Sequence, residues 1–248
     1  MAKRDSQILE MLTSERRIEV KDLAERLGVS NVTMRKDLDA LQARGLVVRE
    51  HGFATISNPN DVRGRLAYHY DEKRLIARRA CELVEDGATV MVENGSCCAL
   101  LAFELAGTRE NVHIVTNSAF IADYIHDAAS SVTLLGGVIQ RDSQVTVGPM
   151  VRLCAGEFMV DRLFVGTDGW TKAAGFTNDD QMRAEAVRAM AEQAGEVVIV
   201  TESAKFSQHG LVPLRLGDKV RTVVTDAGIP DEARSTLEAQ GITVLCAG

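Results

Sequence analysis

Ser30, Asn31, Val32, Thr33, Arg35 and Lys36 are the residues whose types and spacing could read a DNA duplex. Hydroxyls, an amide and two cations can bond phosphates or guanine edges, and a branched apolar side chain can meet a thymine methyl. A second group sits on turns: Asn94-Gly95-Ser96, Asn117-Ser118, Gly136-Gly137, Asp168 in Gly166-Thr167-Asp168-Gly169, and Lys205 in Glu202-Ser203-Ala204-Lys205-Phe206. Glycines there let backbone come close to a ligand, and Ser at a helix start adds N–H groups and partial positive charge for a phosphate. Lys205 adds a full charge. Brought to one edge, these turns would hold a small phosphorylated, hydroxyl-rich molecule. The chain has no G-x-G-x-x-G after a strand and no G-x-x-x-x-G-K-[ST], which argues against a dinucleotide or an NTPase P-loop. Its cysteines make no C-x-x-C and no Cys/His ligand cluster, so no metal and no cofactor is expected.

The elements that must position the first group are legible in the apolar spacing. Val20, Leu23 and Leu27 recur at i, i+3 and i+7 and stop at Gly28, a suitable helix end. Ser30 stands where an N-cap is wanted. Met34, Leu38 and Leu41 then share one face, and at about 100° per residue Val32 and Lys36 point away from it, with Thr33 and Arg35 on the flanks. Ile8, Leu9 and Leu12 give a preceding helix, and Leu46 to Ile56 reads as two strands around a turn at His51-Gly52. Helices followed by a two-stranded wing make a winged helix-turn-helix, residues 1–56, whose recognition helix enters a major groove. The loop composition Ser57-Asn58-Pro59-Asn60-Asp61 closes that domain. A linker over 57–70, running through Arg63-Gly64-Arg65, is expected before a helix near Asp71.

Residues 71–248 change character. Short Val/Ile-rich runs stand at Ala88–Glu93, Val112–Thr116, Val132–Leu135, Arg162–Val165, Val197–Thr201, Thr222–Thr225 and Thr243–Leu245. Amphipathic, helix-length stretches lie between them at Leu100–Leu105, Phe120–His126, Met182–Gln193 and Asp231–Ala239. Alternation of this kind predicts a mainly parallel, doubly wound, Rossmann-like α/β sheet with helices on both faces. The whole is then a two-domain α/β chain. In such sheets ligands bind beyond the carboxyl ends of the strands, where the turns named above fall.

Bulk properties bound these readings. The net charge of −7 is unevenly divided: residues 1–56 carry 10 Lys+Arg against 9 Asp+Glu, and residues 57–248 carry 18 against 26. The first domain is therefore only +1, so attraction to DNA must come from local clustering of Arg35, Lys36 and Arg49. Two copies on a palindrome would double the phosphate contacts, and a homodimer or homotetramer is expected. No apolar run approaches the ~20 residues that span a bilayer. The N-terminus MAKRDSQILEML passes straight into an amphipathic helix without an apolar signal core, and with five cysteines, an odd count, it points to a cytoplasmic chain with reduced thiols and no membrane partner.

The residues also carry a family resemblance. Val29-Ser30-Asn31-Val32-Thr33-Met34-Arg35-Lys36-Asp37-Leu38-Asp39-Ala40-Leu41 resembles the V-S-x-x-T-hydrophobic-R-x-D-L-x-x-L motif of DeoR/GlpR-type bacterial regulators. The family wing, R-x-H-G-G-A, stands here with Arg49, His51 and Gly52 kept and Phe53 in place of the second glycine. Further matches are Asn94-Gly95-Ser96, Thr116-Asn117-Ser118, Leu135-Gly136-Gly137, Gly148-Pro149 and Ser203-Ala204-Lys205-Phe206. The resemblance implies a sensor domain similar in fold to ribose-phosphate isomerases, a sugar phosphate or related metabolite as effector, and a DNA operator as partner. It adds Arg49 and His51 to the DNA-contacting set and makes repression of carbohydrate metabolism genes the expected role. One loop departs: the family's Asp-Gly-Ser/Thr-Thr pattern is replaced by Glu93 ahead of Asn94-Gly95-Ser96, with Cys97 and Cys98 following. That lengthens a carboxylate by a methylene and removes hydroxyls that could hold phosphate.

Two other classes compete. Glu93, Asp168, Glu185 and Lys205 could supply a base and an electrophile for an isomerase, but fold does not fix function and a winged helix is unexpected on such an enzyme. The adjacent Cys97 and Cys98 could sense oxidant, although buried cysteine is often only a small apolar residue. Trp170 either lines the ligand mouth or packs at the core edge. The reading that fits best is a DNA-binding, non-enzymatic transcription regulator.

Overall fold

The computed structural model describes residues 2–56 and 61–248, which fall into two compact units, Met1–Asp71 and Glu72–Gly248. In the first unit the order is α1 (Ala2–Glu15), β1 (Arg17–Glu19), α2 (Val20–Arg26), α3 (Asn31–Ala43), β2 (Val47–Glu50), β3 (Phe53–Ile56) and α4 (Val62–Ala67). The expected apolar stripes form its core: Ile8, Leu12, Leu23, Met34, Leu38 and Leu41 are all fully buried. Each contributes ~1.5–3 kcal/mol by leaving water. α2 ends before Gly28, whose φ of 64° needs the freedom of glycine. Ser30 caps α3 by accepting from the Thr33 N–H at 3.1 Å. The wing turn has positive φ at both His51 and Gly52, the pattern of a type I′ hairpin.

Two features of this unit differ from the sequence reading. The wing sheet has three strands in the order β1-β3-β2, all antiparallel. Arg17-Ile18-Glu19 carries a single apolar residue, too short an alternation to register as a strand. Its Arg17 guanidinium lies over the Phe53 ring, 3.7 Å from the centroid, so Phe53 has a packing partner where the family motif has glycine. The expected linker is also partly structured. Residues 57–60 lie outside the described residues, but Asp61 caps α4 through the Gly64 N–H at 2.7 Å, and Arg63-Gly64-Arg65 lie within that helix. Val62 and Leu66 are buried, which is why this segment folds on its unit instead of trailing.

The second unit follows from α5 (Tyr70–Cys81). Its elements are β4 (Thr89–Val92), α6 (Ser96–Thr108), β5 (His113–Thr116), α7 (Ala119–Tyr124), β6 (Ser131–Leu134), β7 (Val138–Gln140), β8 (Val145–Val147) and α8 (Pro149–Ala155). Then come β9 (Val160–Val165), β10 (Gly169–Thr171), β11 (Gly175–Asn178), α9 (Gln181–Glu192), β12 (Ala194–Val200), a 3-10 turn at Ser203–Ser207, β13 (Val212–Pro213), β14 (Val220–Asp226), α10 (Asp231–Ala239) and β15 (Thr243–Ala247). Seven strands pair in the order β15-β14-β12-β9-β4-β5-β6, every neighbour parallel. They are the seven apolar runs of the sequence. Strands buried on both faces need no polar alternation, so they appear as continuous Val/Ile runs. Met91, Leu163, Val197 and Val223 face a core that includes Val151, Val187 and Leu237 from α8, α9 and α10. Their neighbours Val90, Val92, Phe164 and Val198 are buried as well, so the other face is also covered.

The sequence reading left out the short pieces: α8, the β7–β8 hairpin and a small antiparallel sheet β10-β11-β13. That small sheet is packed backbone to backbone. A Cβ on Gly169 would stand 2.5 Å from the His209 Cα and 2.6 Å from the Gln208 carbonyl carbon. Neither atom can turn aside. Gly169→Ala should therefore destabilise the unit by about 1–3 kcal/mol, the cost typical of overpacking. A denaturant midpoint equal to wild type would contradict this contact.

Candidate functional site

The α3 residues of the first unit expected to read DNA lie on the face of that helix where the spacing places them. Asn31, Val32, Arg35 and Lys36 are exposed on the open face of α3, and Val32 retains 64% of its accessible surface. The Ser30 and Thr33 hydroxyls lie 2.9 Å apart and bond each other, so both serve the cap. Arg49 is engaged inside the unit: Nη1 pairs with Asp39 Oδ1 at 2.7 Å and donates to the Arg35 carbonyl at 3.2 Å. That bond braces β2 against α3. His51 lies at the wing tip, and the adjoining Gly52 carbonyl accepts from the Val20 N–H at 2.9 Å. A polar groove between wing and recognition helix is lined by Glu19, Val20, Lys21, Asn31, Arg35, Arg49, His51 and Gly52. Lys21, missed in the sequence, joins this set because β1 delivers α2 beside the wing.

One residue of the motif has a structural role. Asp37 is buried at 4% exposure and takes two bonds from Arg4, Nε to Oδ2 at 2.6 Å and Nη2 to Oδ1 at 3.1 Å. This bidentate pair holds α1 to α3.

In the second unit the strand order reverses between β4 and β9, the place where a doubly wound sheet opens a crevice. Gly95 and Gly166 face each other there: a Cβ on Gly95 would stand 3.1 Å from the Gly166 Cα. The carboxylate of Glu93 joins them, Oε2 accepting from the Gly95 N–H at 2.8 Å and the Gly166 N–H at 3.2 Å. Burial pushes the Glu93 carboxyl above its ordinary range, against the pull of the Gly166 bond and of Arg183. Arg183, in the first turn of α9, is a residue the sequence did not reveal. Its Nη2 lies 4.0 Å from Asp168 Oδ2, and its buried Nε has no hydrogen-bond partner.

The other residues expected at the ligand edge have these surroundings. Asn94 is buried, while Gly95 and Ser96 are half-buried at the start of α6. Lys205 follows β12, its Nζ donating to Gln208 Oε1 at 3.1 Å. Beside that turn a buried ion pair joins Lys73 Nζ to Glu202 Oε2 at 3.3 Å. Asn117 and Ser118 are built into the framework. Ser118 is fully buried and caps α7 through Ile121, and Asn117 Nδ2 donates to the Thr146 carbonyl at 3.3 Å. The Asn117 Oδ1 is buried without a partner. Gly137 lets the β7–β8 hairpin close, since a Cβ there would stand 2.7 Å from the Val147 carbonyl oxygen. Gly136 sits against Cys154, whose Sγ would be 3.5 Å from a Cβ.

The competing chemistries lose ground on the same geometry. Glu185 is exposed and accepts from Gln181, and no contact joins it to Glu93. Cys97 and Cys98 are buried, and desolvation pushes the Cys97 thiol up to about 12 and the Cys98 thiol well above its ordinary value. Protonated thiols are poor nucleophiles. Trp170 packs at the core edge against Phe206, ring centroids 5.8 Å apart. Among the described residues no group of His, Cys, Asp or Glu could hold a metal ion, and no helix is long and apolar enough to cross a membrane.

A winged helix with an exposed reading face, joined in one chain to a doubly wound sheet with a polar switch point, defines a DNA-binding transcription regulator with a sensor domain. The DeoR-like helix-turn-helix domain matches residues 4–60 and the DeoR C-terminal sensor domain matches residues 68–227. The chain belongs to the DeoR family of transcriptional regulators and is not an enzyme. It is 30% identical to the HTH-type transcriptional regulator UlaR of Shigella dysenteriae serotype 1, over 98% of both chains. It is 28% identical to the HTH-type transcriptional regulator GlpR of Haloferax volcanii, over 98% of this chain and 97% of that one. Among solved structures, ribose 5-phosphate isomerase A from Neisseria gonorrhoeae superposes with a TM-score of 0.42 at 14% identity, covering 68% of this chain and 64% of that one.

Two outcomes follow from the buried groups. Brief iodoacetamide treatment of the folded chain at about pH 8 should alkylate the part-exposed Cys154 and Cys246 and spare Cys97 and Cys98. Rapid labelling of either vicinal thiol, read by peptide mass spectrometry, would restore a redox role. Glu93 has a raised carboxyl pKa in the folded chain, so its ionisation opposes folding as pH rises through that value, and the penalty is absent in acid below the unfolded value. Glu93→Gln should therefore raise the melting temperature near neutral pH, with the gain fading as the solution is acidified. A gain that grows towards low pH would contradict the sign.

Proposed function

We propose that the chain is a repressor of carbohydrate metabolism genes whose hold on its operator is set by a phosphorylated sugar or related metabolite. A homodimer or homotetramer places paired winged helices on the two halves of a palindromic operator. α3 enters the major groove with Asn31, Val32, Thr33, Arg35 and Lys36 towards the bases and phosphates, Ser30 fixing its N-terminus. Lys21, Arg49 and His51 flank the groove from the wing side. The observation that carries this reading is the exposure of Val32 beside Arg35 and Lys36 on a helix whose opposite face is fully buried. Two copies are needed because one first domain carries 10 Lys+Arg against 9 Asp+Glu, and each neutralised phosphate adds to affinity by releasing counterions.

The effector binds at the carboxyl edge of the parallel sheet, among Asn94, Gly95, Ser96, Asp168 and Lys205. Asn117, Ser118, Gly136 and Gly137 shape the adjoining wall. Its binding changes operator affinity only as far as it favours one arrangement of the oligomer over another.

Lys36→Ala and Arg35→Ala test the reading face. On a duplex that the full chain selects from a random pool, each should weaken binding by about 1–3 kcal/mol, and losing Lys36 should lower the salt slope by about one. The fold should persist, since both side chains are exposed. Unchanged affinity in fluorescence anisotropy at moderate salt would remove α3 from the interface.

A further inference from the structure

A phosphate-binding sheet edge usually offers its ligand the free N–H groups of the turn that opens the first helix. Here one donor of that turn, the Gly95 N–H, is already taken. Glu93 Oε2 accepts from the N–H groups of both Gly95 and Gly166, and the two glycine backbones are too close for a side chain to part them. The protein's own carboxylate thus stands where a ligand's anion would sit, and a second anion there would meet it at contact distance. Yet the same crevice holds an unmet donor. Arg183 is 16% exposed, its Nε is buried without a partner, and its nearest acid, Asp168, is 4.0 Å from Nη2 and already accepts from the Asp179 N–H at 2.9 Å. Buried guanidinium N–H groups are rarely left without an acceptor. Arg183 is also fixed at its backbone, its N–H donating to Asp180 Oδ1 at 2.8 Å as part of the α9 cap.

We propose that the anionic group of the effector binds Arg183, and that Glu93 excludes it from the Gly95 and Gly166 amides and instead accepts a hydroxyl of the same molecule. The ligand is then a small polyhydroxylated anion, a phosphate or a carboxylate, lying across the switch point with its charged end towards α9. A planar fork of N–H groups suits either oxyanion bidentately, which a lysine cannot match. The assignment rests on the sensing role proposed above, and it reverses the polarity that the turn residues alone imply: the cation responsible comes from α9, in the connection between β9 and β12.

The test uses the full chain and defined probes: ribose 5-phosphate, fructose 6-phosphate, glycerol 3-phosphate, gluconate and the uncharged sugars ribose and fructose. Each is titrated by thermal shift and by calorimetry. A response to at least one charged probe, absent for its uncharged counterpart, is expected in the wild type, with affinity falling tenfold or more in Arg183→Gln and less in Arg183→Lys. The unliganded melting temperature and circular dichroism of both variants confirm that they are folded. A charged-probe response undiminished in Arg183→Gln overturns this assignment and leaves the sensing role standing, with the anion on the amides or on Lys205. No response of the wild type to any charged probe overturns the sensing role and the assignment together. Phosphates alone or gluconate alone among the responders tells which oxyanion the fork takes.

Discussion

Glu93 is the residue on which the sensor unit turns. A doubly wound sheet must reverse its strand order somewhere, and at that point two turns leave neighbouring strands with backbone N–H groups facing a crevice. Left bare, those groups would need water or a ligand at all times. The Glu93 carboxylate satisfies both with one oxygen and ties the end of β4 to the end of β9, at the expense of burying a charge. Gly95 and Gly166 suit that bond, because a Cβ on either would stand 3.1 Å from the other's Cα and press the two turns apart. The position of α9 matters for the same reason: Arg183 brings the compensating cation without touching the oxygen that does the bridging.

The first unit solves a similar problem with opposite exposure. Asp37 is buried and Arg4 only part-buried, so the arginine caps the carboxylate at the surface and docks α1 on α3. Arg49 and Asp39 repeat the device between wing and helix. Both pairs orient α3 from its flanks and leave the face with Val32, Arg35 and Lys36 free. Acidic residues inside a DNA-binding motif look counterproductive in the sequence. In the structure they hold the reading helix in place, and the small net charge of the domain reflects that internal pairing.

How much was legible depended on the length and regularity of each signal. The inner strands could be read because parallel strands buried on both faces leave apolar runs, the part-exposed edge strand β6 from its Val and Leu, and the reading helix because its cap, stripe and stop agree. Arg17-Ile18-Glu19, Val62–Ala67 and the two-to-four-residue strands of the small sheet could not, since so few residues hold no period. The ligand turns were found as turns, but the contacts they make across the fold were not legible. Nothing local shows that Ser118 is sealed under α7, that Gly137 admits a hairpin, or that Glu93 fills the amides of a turn 73 residues away. Arg183 was invisible for the same reason: on a helix pattern it is one more polar residue, between Met182 and Ala184.

Composition misled in a related way. A sequence pI near 5.3 suggests neither DNA nor an anionic metabolite as partner. Charges are screened beyond about 8 Å at physiological ionic strength, so the excess acid of residues 57–248 acts weakly on a ligand already inside the crevice. What decides binding there is the nearest unpaired cation in a poorly hydrated setting, where each interaction is several times stronger than in water. The first unit follows the same rule by itself: Arg35 and Lys36 are exposed on the open face of α3, while the acids Asp37 and Asp39 are paired with Arg4 and Arg49. Local pairing therefore decides which charges each unit has left to offer a partner, and net charge does not.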